Sequence, residues 1–201
     1  METTRLEAFS DGVFAVAITL LALDLRPAAG RTLAEQLTSH DALARYAAYT
    51  VSFLVIGIIW VNHHEVFRQL ARADRVLLFL NLLLLLFVAA IPFPTAVLAE
   101  HLGGRADAHS AALAYSMVML LMGVSFGLLW GWAVRGGRLL HRRLDPAEAR
   151  AAVRRFALGN LAYVLLLGVA LVSAPLTLAG HFLVALYYVA DQLPRERRRA
   201  G

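Results

Sequence analysis

Six long apolar runs leave this chain few ways to fold. They cover roughly residues 5–25, 42–67, 76–99, 108–134, 152–172 and 175–190. Hydrocarbon offers backbone N–H and C=O groups no water, so runs of this length cross a membrane as helices that satisfy their own hydrogen bonds. The expectation is an all-α integral membrane protein with six transmembrane helices. Composition agrees: 60% of the 201 residues are hydrophobic and the mean hydropathy is +0.65, which excludes an ordinary soluble domain. Ser173, Ala174 and Pro175 separate the last two runs. A turn at Ala174-Pro175 is preferred there, because proline cannot continue a helix without a kink. One long kinked span is the alternative.

The arginines choose between these. The formal charge is +5, and every basic residue is arginine. They fall between apolar runs, so topology explains them better than a nucleic-acid partner does. With six spans and the N-terminus inside, the inner segments carry Arg5, Arg68, Arg72, Arg75, Arg135, Arg138, Arg142, Arg143, Arg150, Arg154 and Arg155. They also carry the basic tail over 193–201, which faces lipid headgroups. The outer segments hold Arg26, Arg31, Arg45 and Arg105. This bias follows the positive-inside rule and puts both termini in the cytoplasm. Glu2, Glu7, Asp11 and Asp24 do not suit a cleaved signal peptide. No repeat or linker divides the chain, so 1–201 reads as one domain. Without cysteine there is no disulfide or thiolate metal site.

The first run, RLEAFSDGVFAVAITLLALDL, carries the most information. At about 100° per residue, Gly12, Val16, Thr19, Leu20 and Leu23 share one stripe. Asp11, Phe14, Ile18 and Leu25 fall roughly opposite. Ala8, Ala15 and Ala22 form a third line, where small residues permit close helix packing. Two readings of the stripe stand at this point. It lines a pore, or it is an ordinary lipid- or core-facing surface, and periodicity alone favours the second. Further small residues, Gly123, Gly127 and Gly131, predict a close-packing face on the fourth span. Pro92 and Pro94 should bend the third.

Polar residues gather near the inner ends of three spans. Arg5, Ser10 and Asp11 come from the first, Trp60, Asn62, His63 and His64 from the second, and Asn81 from the third. Polar groups in lipid must satisfy one another, so a network of Arg5, Ser10, Asp11, one of the two histidines and Asn81 is expected. Its main role is to hold the first helix against its neighbours. A proton relay is a second reading. A metal site is disfavoured, because adjacent histidines on a helix point about 100° apart. No catalytic motif of the soluble type is present, so no enzyme, metal or cofactor is expected.

The run Arg5-Leu-Glu-Ala-Phe-Ser-Asp11, followed by an aliphatic helix with a central Thr, resembles the first-helix signature of the potassium channels called transmembrane protein 175, in their short prokaryotic branch. Trp60-Val-Asn-His-His64 resembles that family's second-helix histidine region. Asn81–Phe87 and Pro92-Phe-Pro-Thr95 resemble its third helix. The match covers the first hundred residues, and the second half fits in span count only. The resemblance implies a six-helix subunit in the plasma membrane of a prokaryote. It implies a homotetramer with the first helices around a central pore, and potassium ions as the conducted partner. Carried over from Phe-Ser-Asp, the pore residues are Val16, Thr19 and Leu23, with Leu20 beside them. Val16 departs from the Leu or Ile common at that position. The resemblance also assigns Arg5, Phe9, Ser10, Asp11 and the histidines to the structural network. The function expected is passive potassium-preferring conduction through an aliphatic constriction. The alternative is a proton-coupled secondary transporter using Asp11 and His63 or His64.

Overall fold

The computed structural model describes residues 3–23, 25, 30, 32–102, 107–141 and 145–189, with only the backbone of 33 and 36. The sequence readings on Arg26, Arg31, Arg105, Arg142, Arg143 and the basic tail lie outside these residues. Among the described residues there is no β-strand, only an isolated bridge between Leu70 and Leu140. The helices are α1 Thr4–Ala22, α2 Leu33–Thr38, α3 His40–Arg68, α4 Arg75–Ala90, α5 Pro92–His101, α6 Ala108–Val134, α7 Pro146–Ala170 and α8 Ala174–Val189. By length and hydropathy α3, α4 with α5, α6 and α7 can each cross a membrane, and α8 is a shorter apolar helix. With 19 residues, α1 is about 28 Å long at 1.5 Å per residue, close to the hydrocarbon thickness. Its Arg5, Glu7 and Asp11 put three charged residues in that length, more than the apolar windows of those four spans carry. Counting α4 and α5 together, six long helical units match the six apolar runs.

Local chemistry sets the helix starts. Ser39 caps α3 by accepting from Ala42 N–H (3.3 Å), and Asp74 caps α4 by accepting from Leu77 N–H (2.9 Å). Asp145 caps α7 through Ala147 N–H (2.8 Å), with Pro146 at the first helical position. The short α2 was not anticipated. Its capping box, Thr32 and Glu35, was legible as T-x-x-E but lies outside any apolar run.

The third span breaks at Ile91, between α4 and α5, where Pro92 and Pro94 remove two amide donors. The α7–α8 pair resolves the question left by the sequence. Tyr163 stacks on His181 (5.7 Å) and Phe156 on Tyr188 (6.2 Å), so numbering rises along one helix as it falls along the other. These are two antiparallel helices joined at Leu171–Ser173, not one kinked span. Gly159 leaves the space that Tyr188 fills, and Gly180 does the same for Leu166. The glycine run on α6 behaves less uniformly than expected. A Cβ at Gly123 would meet Asn160 and the Tyr163 ring of α7, and one at Gly127 would only touch Asn160 (3.4 Å). Gly131 has nothing within 4 Å, so close packing is confined to the first part of that run.

Candidate ion-conducting face and its tether

Helix α1 divides cleanly into two sides. Ser10, Phe14, Ala17 and Leu21 recur at helical spacing and are buried in the subunit, the last three at 1% exposure each. Val16 is 58% exposed, Leu23 53% and Leu20 40%, and Thr19 is exposed with them. Leu23 sits one residue past the helix, in the capping turn, with helical φ and ψ. Ala8, Gly12, Ala15 and Ala22 share the exposed arc. The alanine line therefore lies on the exposed side of α1, open to close approach by a helix from outside the subunit. The Thr19 hydroxyl donates to the Val16 carbonyl (2.9 Å), which leaves the lone pairs of Oγ1 without a protein donor.

On the buried side a chain of hydrogen bonds ties three helices. Asn81 Nδ2 of α4 donates to Ser10 Oγ of α1 (2.9 Å), and Ser10 donates onward to the Leu6 carbonyl (2.8 Å). Asn81 Oδ1 faces His63 Nε2 of α3 at 2.8 Å. With the amide nitrogen given to Ser10, that contact requires a proton on Nε2. Ser10 and Asn81 are fully buried, and His63 is 1% exposed. The His63 ring stacks on Phe67 (4.4 Å) and meets Phe14 of α1 (5.3 Å). Ser10 Oγ, both polar atoms of the Asn81 amide and His63 Nε2 each have a partner, as a low-dielectric interior demands.

Other residues of the expected network lie elsewhere. Asp11 is exposed rather than buried, and it accepts from Trp60 Nε1 (2.8 Å) rather than pairing with Arg5 or a histidine. Projection put it opposite the stripe but could not tell which neighbour it would meet. His64 is exposed and stacks on Trp60 (6.1 Å). Arg5 and Phe9 are exposed and make no bond to the chain of Ser10, Asn81 and His63. Asn62 instead reaches α8, donating to the Tyr188 carbonyl (3.0 Å).

The Asp11–Trp60 pair is open to a double-mutant cycle. Asp11→Ala and Trp60→Phe should each lower stability in detergent by about 1 kcal/mol. The double variant should cost little more than either single change. Additive losses in chemical unfolding would mean that the 2.8 Å contact carries no energy.

A second polar cluster was missed by sequence reasoning. Ser52 Oγ of α3 lies 3.0 Å from Tyr115 Oη of α6 and 2.9 Å from Thr95 Oγ1 of α5. The signal was available: three hydroxyls in the outer halves of three apolar runs. Trp130 of α6 adds a bond to the Ala149 carbonyl of α7 (3.2 Å).

These features define a class: a multi-pass α-helical membrane protein whose first helix is tethered by side chains on one face and bare on the other. The family described as "Endosomal/lysosomal potassium channel TMEM175" matches residues 5–92. A protein of Streptomyces collinus named as a potassium channel is 54% identical, over 100% of this chain and 98% of that one. One from Chamaesiphon minutus, also named as a potassium channel, is 36% identical, over 93% of each. A crystal structure titled as a lysosomal potassium-selective channel TMEM175 homolog, also from Chamaesiphon minutus, superimposes with a TM-score of 0.80. It shares 34% identity and covers 95% of this chain and 98% of that chain. The protein belongs to the TMEM175 family, a family of ion channels.

Proposed function

We propose that this protein is a potassium-preferring cation channel, a homotetramer in which four copies of α1 enclose the pore. Val16, Thr19, Leu20 and Leu23 line it, the Ser10–Asn81–His63 chain holds α1 upright behind it, and both termini face the cytoplasm of a prokaryote. One helix cannot enclose a pore, so a symmetric assembly is required. The observation that carries this reading is the composition of the bare arc of α1. On α4 and α7 large side chains such as Phe79, Leu82, Leu86, Leu158, Leu161 and Leu165 are exposed. Lipid accepts such side chains readily. The α1 arc instead combines four small residues with a central hydroxyl, which suits close approach of another helix. The bacterial relatives from Streptomyces collinus and Chamaesiphon minutus are named potassium channels. Among the described residues Asp11 bonds to Trp60 and His63 to Asn81, so the transporter alternative has no direct Asp11–histidine hydrogen bond to build on.

Purified protein in proteoliposomes should carry potassium down its gradient. Absence of flux from correctly folded protein would refute the reading. Selectivity tests the lining more finely. In a tetramer the Thr19 oxygens form a ring whose lone pairs face the axis. Thr19→Val keeps the shape and removes the oxygens, so the potassium–sodium bi-ionic reversal potential should move toward zero. An unchanged reversal potential would dismiss Thr19 from selectivity.

A further inference from the structure

At the arginine-rich end of the subunit two loops are clasped together. The backbone of 69–71, between α3 and α4, pairs with that of 139–141, between α6 and α7. Ala71 N–H donates to the Leu139 carbonyl (2.8 Å) and His141 N–H to the Gln69 carbonyl (3.1 Å). Leu70 and Leu139 are buried beneath. Arg72 Nε donates to the Arg138 carbonyl (2.9 Å). Gly136 and Gly137 make the turn before the clasp with φ of +76° and +63°, angles that L side chains rarely adopt. The Arg138 side chain lies over Gly136. On the other side of the turn, the Arg135 guanidinium sits 5.8 Å from the centroid of the Trp132 ring.

The nearby carboxylates are already engaged. Asp74 caps α4 and accepts from Trp132 Nε1 at 3.1 and 3.2 Å. Glu65 pairs with Arg68 at 2.9 Å. Among the described residues no ion pair reaches Arg72, Arg135 or Arg138, and all three are exposed. Three arginines thus stand on one clasp, with the Trp132 indole beside Arg135. The clasp stands where the apolar lengths of α3, α4 and α6 end, which is headgroup level for a membrane-crossing helix. A guanidinium fork matches phosphate oxygens in pairs, and an indole prefers the interface.

We infer that the clasp formed by Arg72, Arg135 and Arg138 binds a phosphate group carried by an anionic lipid headgroup. The site stands independently of the pore reading, because it uses no residue of α1.

The test compares phosphatidylglycerol with phosphatidylcholine retained by the purified protein in native mass spectrometry. Wild type should retain phosphatidylglycerol preferentially. Each guanidinium removed should weaken that retention about fivefold, with phosphatidylcholine unaffected. Arg135→Gln is the first variant, since Arg135 contributes no hydrogen bond to the clasp, and R72Q/R135Q/R138Q is the second. R150Q/R154Q, on the exposed face of α7, is the control and should retain wild-type preference. Titration of inorganic phosphate into protein in phosphatidylcholine nanodiscs separates the sources. Phosphate binding lost in R135Q without any phosphatidylglycerol preference would keep the phosphate site but overturn its lipid occupant. Equal retention by wild type and both clasp variants would overturn the site, as would equal loss in R150Q/R154Q, which would reduce it to diffuse surface charge.

Discussion

Val16→Asn and Leu23→Asn should each raise single-channel potassium conductance about tenfold and lower discrimination among monovalent cations. The two positions lie seven residues apart, about 10 Å along the helix. Four copies of each at a symmetry axis would make two aliphatic rings. Apolar rings offer water and ions no hydrogen bonds, and narrow ones dewet. An amide at either level supplies hydrogen bonds worth about 1 kcal/mol each. A barrier lowered by about 1.4 kcal/mol is a tenfold gain in rate. Neither change should harm the fold, because both side chains are more than half exposed in the subunit. Ala17→Asn is the contrasting case. Ala17 is 1% exposed, so an amide there must displace packed neighbours and should lower the yield of folded protein instead. Recordings in matched bilayers decide the matter. A folded Ala17 variant with raised conductance, beside Val16 and Leu23 variants that conduct as wild type, would require α1 to be rotated about its axis.

Asn81→Leu should destabilise the subunit by about 2–6 kcal/mol. Asn81 bonds to both Ser10 and His63. Its removal deletes two interhelical bonds, each worth about 0.6–1.7 kcal/mol in a membrane protein. It also leaves His63 Nε2 buried without a partner, at a further cost of about 1–3 kcal/mol. Ser10 suffers less, because it keeps the Leu6 carbonyl as acceptor. Ser10→Ala should therefore cost only about 1 kcal/mol, since Asn81 retains His63. Unfolding of purified protein in mixed detergent measures both. Equal losses for the two variants would mean that the histidine contact contributes nothing.

The membrane-crossing helices were legible because hydrocarbon demands long apolar runs, and each of the six runs became a helical unit. The buried side of α1 was half legible. Ser10, Asn81 and His63 share depth, and polar groups at one depth in lipid seek one another. Asp11 was misread because a projection orders residues around one helix but says nothing about where the neighbours stand. The neighbour it meets is the Trp60 indole N–H. The alanine line was legible only in part, since small residues mark where helices can approach without saying from which subunit. The Ser52, Thr95 and Tyr115 cluster escaped although its hydroxyls share the outer halves of three runs, because a hydroxyl can instead bond its own helix, as Thr95 also does at the Ile91 carbonyl. The clasp at Leu70 and Leu140 escaped because backbone pairing between loops leaves no periodic trace.

The break at Ile91 has a mechanical consequence. Of the ladder bonds that would run from residues 92–95 back to 88–91, those from Pro92 and Pro94 do not exist, because proline has no amide hydrogen. Below the joint, α4 is pinned through Asn81 to α1 and α3, and through Asp74 to Trp132. Above it, Thr95 links α5 to Ser52. The span is thus two stiff rods on a pivot rather than one beam. A tilt of the upper rod need not be transmitted to the lower one, and at two rungs of the ladder it has no hydrogen bond to break.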